Sequence, residues 1–145
     1  MAIKISTKGR YGLRLLVDIA LHQEAGVVPL RDIAERQDIS IKYLWQVINP
    51  LKTAGLVRVA RGAHGGFVLA RPAGGITVYE AVSVLEGPLA LAPCIKTPEC
   101  DRVTICAVRE VWCVLDQALE RSMRGITLSD IVRRVQEPIG NSYDI

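Results

Sequence analysis

The chain has 145 residues, of which 50% are hydrophobic and 23% charged, and its formal net charge is +3. This length and composition allow one compact core and exclude a wholly disordered chain. No apolar run approaches the roughly 20 residues that a membrane span needs, and the start lacks the apolar stretch of a secretory signal. We therefore expect a cytoplasmic protein with no membrane partner.

Charge is unevenly distributed between the two halves of the chain. Residues 1–72 carry eleven Lys or Arg against five Asp or Glu, a net charge of +6, whereas residues 73–145 carry a net charge of −3. The basic half favours an anionic partner for that half alone, although such a surplus is equally typical of a solvated surface.

Hydrophobic spacing predicts a mainly α-helical chain with one small β-hairpin. The expected elements, in chain order, are helices over 7–24, 30–37 and 41–54, β-runs over 57–60 and 67–70, and helices over 77–86, 105–123 and from 127. Thr7, Ser40 and Thr77 are expected to cap their helices, the last in a capping box with Glu80. Residues 87–104 are expected to form a loop.

Three of these helices carry apolar stripes. The first helix is expected to face the core with Leu13, Leu16, Val17 and Ala20, and the third helix keeps the same helical spacing at Leu44, Val47, Ile48 and Leu51. The stripe of the long helix over 105–123 predicts a dimer interface, with intramolecular core as the alternative. Its residues are Val108, Val111, Trp112, Leu115, Ala118 and Leu119.

The order helix, short helix, tight turn, helix and glycine-tipped hairpin is that of a winged helix-turn-helix. The third helix would enter the major groove of DNA, and the hairpin tip would reach the adjacent minor groove, where narrow A·T-rich stretches attract Arg. The candidate DNA-binding residues are Ser40, Lys42, Tyr43 and Gln46 on the third helix, and Arg61 and His64 at the tip. The alternative is a protein-interaction domain of similar shape, in which Tyr43 is a packing residue.

All four cysteines lie within twenty consecutive residues, and five residues separate each of Cys94, Cys100 and Cys106 from the next. Because structural disulfides are disfavoured in the cytosol, such a cluster indicates a metal or redox site. Three soft ligands in a loop suit an iron–sulfur cluster, while the CxxC spacing of structural zinc sites is missing. Three unligated thiols are the alternative. Cys113, two helical turns beyond Cys106, is expected to pack in the long helix.

Four segments resemble the IscR/CymR/NsrR group of bacterial winged-helix regulators, the Rrf family. They are residues 4–11 (KISTKGRY), the pair Tyr43-Leu44, residues 50–57 (PLKTAGLV) and the hairpin tip, residues 61–67 (RGAHGGF). The resemblance implies DNA binding by a homodimer, with the helix and hairpin residues named above as DNA contacts. It also implies that Cys94, Cys100 and Cys106 hold an iron–sulfur cluster of the 2Fe–2S type, as in IscR-like proteins.

Three residues depart from the pattern of that group. Trp45 stands where IscR-like and CymR-like proteins usually carry Glu, so the preferred operator is expected to differ. Arg109 stands in place of the His ligand of IscR-like proteins, and Arg10 in place of the acidic ligand of NsrR-like proteins. Arg stays protonated and cannot bind a metal. The substitutes for a fourth ligand are Glu110, a loop acid (Glu99 or Asp101) or solvent.

We therefore expect a non-enzymatic transcription regulator, mostly a repressor, that binds a double-stranded DNA operator through residues 1–75. Residues 76–145 would carry the cluster loop and the dimerisation helix, and the target genes would serve iron–sulfur assembly or sulfur metabolism. The alternative is a cluster-free regulator that answers through a partner protein or thiol oxidation, as the resemblance to CymR-like proteins implies. The sequence contains no nucleophile–base pair, phosphate loop or paired carboxylates that would indicate an enzyme.

Overall fold

The computed structural model describes residues 4–62, 65–97 and 99–137. Within them the chain forms helices α1 (Thr7–His22), α2 (Leu30–Gln37), α3 (Ile41–Thr53), α4 (Val78–Glu86), α5 (Pro93–Lys96), α6 (Ala107–Arg124) and α7 (Leu128–Gln136), strands β1 (Val57–Ala60) and β2 (Gly66–Leu69), and 3₁₀ turns at Gln23–Ala25 and Ala73–Gly75. The predicted fold class, mainly α with a small β-hairpin, is confirmed. None of these helices is both long and apolar enough to cross a membrane.

The hairpin is tied to the segment that precedes α2. β1 and β2 pair antiparallel, with Val57 opposite Leu69. On the other side of β2, the Val28 N–H donates to the Phe67 carbonyl at 3.0 Å, and the Phe67 N–H donates to the Val28 carbonyl at 2.9 Å. A Cβ at position 66 would lie 2.8 Å from the Val28 carbonyl, so the glycine there lets Val28 reach the hairpin.

Ser6, and not Thr7 as predicted, caps α1. Its hydroxyl accepts from the Gly9 N–H at 3.2 Å. The backbone N–H and the hydroxyl of Ser6 also both donate to the carboxylate of Glu86, the last residue of α4. This tie between α1 and α4 decides which of two neighbouring capping residues is used.

The capping box predicted at Thr77 is only half formed. The Thr77 hydroxyl accepts from the Glu80 N–H at 3.1 Å, but the Glu80 carboxylate pairs with Arg71. α7, in contrast, begins with a complete box. The Thr127 hydroxyl accepts from the Asp130 N–H at 3.2 Å, and the Asp130 carboxylate accepts from the Thr127 N–H at 2.9 Å. Thr127 also forms a β-bridge with Thr77, so α4 and α7 start side by side.

The predicted loop over 87–104 contains one helical turn, α5, that the hydrophobic spacing did not predict. Pro93 stands at its first position, where the fixed φ and missing N–H of proline suit a helix start. The first residue of α6, Ala107, lies two residues beyond the predicted start and directly follows the N-cap, Cys106.

The core lies between α1, α3, α4 and the base of the hairpin. In α3 the four predicted core positions are all buried: Leu44, Val47, Ile48 and Leu51. In α1, Leu16 is buried as predicted, but Leu15 and Ile19 share the buried face with it. The other predicted positions only pack against the edge of the core: Leu13, Val17 and Ala20. Ile76 and Leu128 belong to the same cluster, so residues after 75 complete the core.

No described side chain of α6 belongs to the core cluster, and the apolar stripe of this helix is open to solvent. Asp116 is the buried residue of this helix, and its carboxylate accepts from the Leu91 N–H at 2.9 Å. Five members of the stripe are between 40% and 54% exposed: Val108, Val111, Trp112, Leu115 and Leu119. Within the described ranges, the stripe is therefore not part of the intramolecular core.

Candidate nucleic-acid interface

α1 and α2 are joined by a buried ion pair. Asp18 on α1 is 1% exposed, and Arg36 of α2 donates to it through Nη2, 2.6 Å from Oδ1, and through Nε, 3.1 Å from Oδ2. The Gln37 amide donates to Oδ2 at 2.9 Å. Burial alone would raise the pKa of Asp18, but the hydrogen bonds from Arg36 and Gln37 and the positive charges nearby lower it below its ordinary value. The pair thus fixes α2, which precedes the candidate reading helix, against α1.

A series of contacts between aromatic and cationic side chains links α1 to α3. The Arg14 guanidinium donates to Gln37 at the end of α2 and lies 5.2 Å from the centre of the Tyr11 ring. The Tyr11 ring meets the Tyr43 ring of α3 edge to face, with centres 5.6 Å apart. Tyr43 is half-buried and packs against the core. The packing role considered for Tyr43 is therefore present, and it supports the start of α3.

The candidate reading residues of α3 lie together on its first two turns. Ser40 is the N-cap, and its hydroxyl oxygen accepts from the Tyr43 N–H at 3.2 Å, which leaves the hydroxyl hydrogen to donate elsewhere. Lys42 and Gln46 are exposed and stand one turn apart on one side of the helix. The structure thus gathers Ser40, Lys42, Tyr43 and Gln46 at one end of α3, while their contact with DNA stays a prediction.

The hairpin carries two exposed arginines. Arg58 in β1 and Arg61, directly after β1, are both exposed. His64, the other predicted tip residue, lies outside the described residues. With Lys42 on α3, the two arginines supply positive charge on both the helix and the hairpin, as a surface for a polyanion requires.

Trp45 joins α3 to the hairpin through a contact that the periodicity did not predict. Its indole is 48% exposed, and its ring centre lies 6.1 Å from that of Phe67, with the ring planes at 73°. Phe67, in β2, is 6% exposed. The signal available in the sequence was a large apolar residue on the polar side of α3, next to Gln46.

The three candidate cluster ligands come from three adjoining pieces of chain. Cys94 lies in α5 and Cys106 occupies the N-cap position of α6, both half-buried, while Cys100 is exposed between them. Cys113 is half-buried within α6. In the described parts of the chain, no three His, Cys, Asp or Glu side chains are grouped closely enough to hold a metal ion. The thiols are soft donors that suit iron–sulfur chemistry, but this structure does not bring the three together.

Arg109 links the two helices that carry Cys94 and Cys106. Its Nε donates to the Cys94 carbonyl at 3.0 Å, which ties α5 to the first turn of α6. The acids considered as a fourth ligand are all exposed: Glu99, Asp101 and Glu110. Arg109, which stands in place of the His ligand of IscR-like proteins, thus holds the cysteine loop against α6 in this structure.

Comparison with known sequences identifies related regulators. The Rrf2 family model, described as an iron-dependent transcriptional regulator, matches residues 5–134. The chain is 40% identical over 132 residues to protein rrf2 of Nitratidesulfovibrio vulgaris, which covers 90% of this chain and 88% of that protein. It is 37% identical over 130 residues to the HTH-type transcriptional regulator IscR of Citrobacter koseri, with 90% and 80% covered.

Two solved structures share the fold over nearly their whole length. CymR, the global cysteine regulator of B. subtilis, has a TM-score of 0.78 and 36% identity, and the match covers 91% of this chain and 98% of CymR. IscR of T. potens also has a TM-score of 0.78 and 36% identity, with 99% and 96% covered. The named relatives are transcriptional regulators and not enzymes, which confirms the expectation that this chain is not an enzyme.

Proposed function

This chain belongs to the Rrf2 family of transcriptional regulators, and we propose that it is a cytoplasmic, sequence-specific repressor that binds a double-stranded DNA operator as a homodimer. The observation that carries the proposal is the exposed end of α3, where Ser40, Lys42 and Gln46 stand together beside the basic hairpin. In this proposal residues 1–75 read the operator and residues 76–145 carry the regulatory and dimerisation elements. The target genes would serve iron–sulfur assembly or sulfur metabolism.

The side chains at the end of α3 suit the edges of bases in the major groove. Gln46 can pair with adenine through two hydrogen bonds, Ser40 can donate or accept, and Lys42 can reach guanine or a phosphate. Arg61 would enter the neighbouring minor groove, whose negative potential is greatest where A·T-rich stretches narrow it. The ties from Asp18 to α2 and from Tyr11 to Tyr43 support a rigid presentation of α3.

The exposed stripe of α6 supports the homodimer. A row of large apolar side chains on one helix, each 40% or more exposed, is costly in water and is typical of an interface. A second copy of the same helix would cover it, because a two-fold dimer brings the same surface of both subunits together. The two reading helices would then face two half-sites of one operator.

Selection of operators from a pool of random duplexes tests the DNA-binding proposal. We expect one enriched sequence with two-fold symmetry, and an affinity that falls steeply as salt rises, because phosphate contacts release counterions. The matched control is a Lys42→Ala, Arg61→Ala double variant, for which the salt dependence should become shallower. Equal affinity for every duplex, or an affinity that salt does not change, would contradict the proposal.

For the regulatory element, we propose that Cys94, Cys100 and Cys106 hold an iron–sulfur cluster of the 2Fe–2S type. The support is the chemistry of three thiols within one short segment and the likeness to IscR. When bound, such a cluster would supply a redox-active centre next to the start of α6. Because the three thiols are not grouped in this structure, their segment would have to rearrange to bind it.

A cluster-free regulator that answers through a partner protein or thiol oxidation is the second candidate. It is favoured by the ungrouped thiols and by the equal structural likeness to CymR. Iron and sulfide content of protein prepared without oxygen separates the two. The cluster proposal expects iron in the wild type, its loss in Cys94→Ala, Cys100→Ala and Cys106→Ala, and its retention in Cys113→Ala. Iron-free wild-type protein, or full iron in Cys100→Ala, would favour the cluster-free candidate.

A further inference from the structure

We propose that Trp45 is a further specificity-determining residue, whose indole contacts the C5-methyl group of thymine in the major groove. This inference rests on the proposed DNA-binding function and names an element of sequence that the operator must contain. It is carried by three features of the molecule: the exposure of Trp45, an exposed apolar neighbour one turn away, and the contact with the hairpin.

The exposed, mainly polar side of α3 also carries two large apolar residues, where a reading helix would usually be polar throughout. Trp45 is 48% exposed and Ile41, one turn before it, is 45% exposed. Both lie next to the polar pair Lys42 and Gln46, so the apolar and polar side chains share one end of α3. Exposed apolar area of this size is unfavourable in water and becomes favourable only when a partner covers it.

DNA offers one apolar group in the major groove, the methyl of thymine. The other groups at the base edges there are hydrogen-bond donors and acceptors. The indole and the Ile41 side chain can therefore bury apolar surface against the methyl group of thymine. Cytosine, adenine and guanine offer them no such group. An operator read by this α3 should carry thymine at the positions that Trp45 covers.

The indole is held in place before DNA arrives. Its ring meets the buried Phe67 ring edge to face, at a distance and angle that aromatic pairs favour. The contact restricts the side chain on its β2 side, so less rotamer freedom would be lost on binding than for an unsupported side chain. If Trp45 served only to pack α3 on the hairpin, full burial of its indole would stabilise the fold more than half-exposure does.

Replacement of single thymines by uracil in the selected operator tests the inference, because the exchange removes the methyl group and leaves base pairing unchanged. For the wild type we expect affinity to fall about fourfold at one or two thymines of each half-site, the effect of one buried methyl. Trp45→Ala should bind more weakly and no longer distinguish thymine from uracil there. Gln46→Ala, the matched control on the same helix, should bind more weakly but keep the distinction.

Trp45→Phe guards against misfolding, because it retains a ring that can pack on Phe67 while removing the indole. We expect the emission of Trp45 to change when the wild type binds DNA, and Trp45→Phe, which keeps only Trp112, to lack that change. Sequence-specific binding in which no thymine methyl matters, or in which Trp45→Ala keeps the full thymine preference, would overturn this inference alone. A chain that selects no sequence at all would overturn the proposed function and this inference together.

Discussion

Asp18 on α1 and Arg36 on α2 share three hydrogen bonds, of 2.6 Å, 3.1 Å and 3.3 Å, around a carboxylate that is 1% exposed. The arginine is about one-third exposed, so water could solvate its charge if the pair were broken. The carboxylate is buried and needs the pair to compensate its charge. Removing Arg36 would leave a buried negative charge with Gln37 as its remaining α2 donor.

We therefore expect Arg36→Ala to lower the free energy of unfolding by about 3 kcal/mol, the low end of the range for isolating one buried charge. The control is Arg31→Ala, an exposed arginine on the same helix, which should change the free energy by less than about 0.5 kcal/mol. Urea unfolding at one fixed protein concentration measures both. Equal stability of the two variants would contradict the assignment of Asp18 and Arg36 as a stabilising pair.

The same carboxylate predicts a pH dependence. The pKa of Asp18 is lowered in the folded chain, so its contribution is fully present above the ordinary value of 3.8 and is lost as pH falls through the lower folded value. The stability difference between wild type and Asp18→Asn should therefore shrink as pH falls below about 4. Urea midpoints from pH 7 to pH 3 measure the difference, and a difference that grows in acid would contradict a lowered pKa for Asp18.

The stability of Ser6→Ala and Thr7→Ala variants shows which of the two neighbouring hydroxyl residues caps α1. Ser6→Ala should cost about 1–2 kcal/mol, since Ser6 both caps α1 and donates to Glu86. Thr7→Ala should cost much less, because among the described residues the exposed Thr7 hydroxyl accepts only from the Arg10 side chain, at 3.1 Å. Thermal unfolding of the two variants provides the comparison, and a larger loss for Thr7→Ala would restore the cap expected from the sequence.

These differences show what sequence patterns can decide. The buried positions of α3 were predictable because Leu44, Val47, Ile48 and Leu51 form one row among polar residues. α1 has apolar residues around much of its circumference, so periodicity alone could not select Leu15 and Ile19 as central. The choice of Ser6 over Thr7 depends on Glu86, eighty residues later, and no local pattern contains that information.

The candidate site divides in the same way. The exposed polar side of α3 followed from amphipathic spacing, whereas the contact between Trp45 and Phe67 joins two elements that only the tertiary fold brings together. The cysteine spacing predicted the chemistry of a ligand set but not its geometry. The exposure of the α6 stripe could not be predicted from the sequence either, because a single apolar row is compatible with a core and with an interface.

Dimerisation can be tested by placing a charge in the α6 stripe. Leu115→Glu should raise the dimer dissociation constant at least about tenfold, because a carboxylate would be buried without a partner. Val135→Glu introduces the same charge at an exposed apolar position of α7 and should leave assembly unchanged. Sedimentation over a range of concentrations distinguishes the two, and a Leu115→Glu dimer as tight as the wild type would place the interface elsewhere.

The helix and the hairpin should contribute differently to operator recognition. Gln46→Ala should lose about 1–3 kcal/mol of discrimination at one base position. Arg61→Ala should keep base discrimination in the major groove and lose the preference for A·T-rich flanks. Binding to a panel of operators that differ at single positions or only in their flanks measures both effects. If both variants bind like the wild type, α3 and the hairpin are not where the DNA is read.

The fold also determines when the DNA-reading half of the chain can fold during synthesis. Leu128, fully buried, lies in the same cluster as Leu15, and Thr127 is bridged to Thr77. α1 therefore waits for α7, more than a hundred residues later in the chain, before its buried face is covered. Contacts so distant along the chain close late and slowly. A nascent chain interrupted before α7 would expose that face, and folding of the reading half should be completed only after α7 has been synthesised.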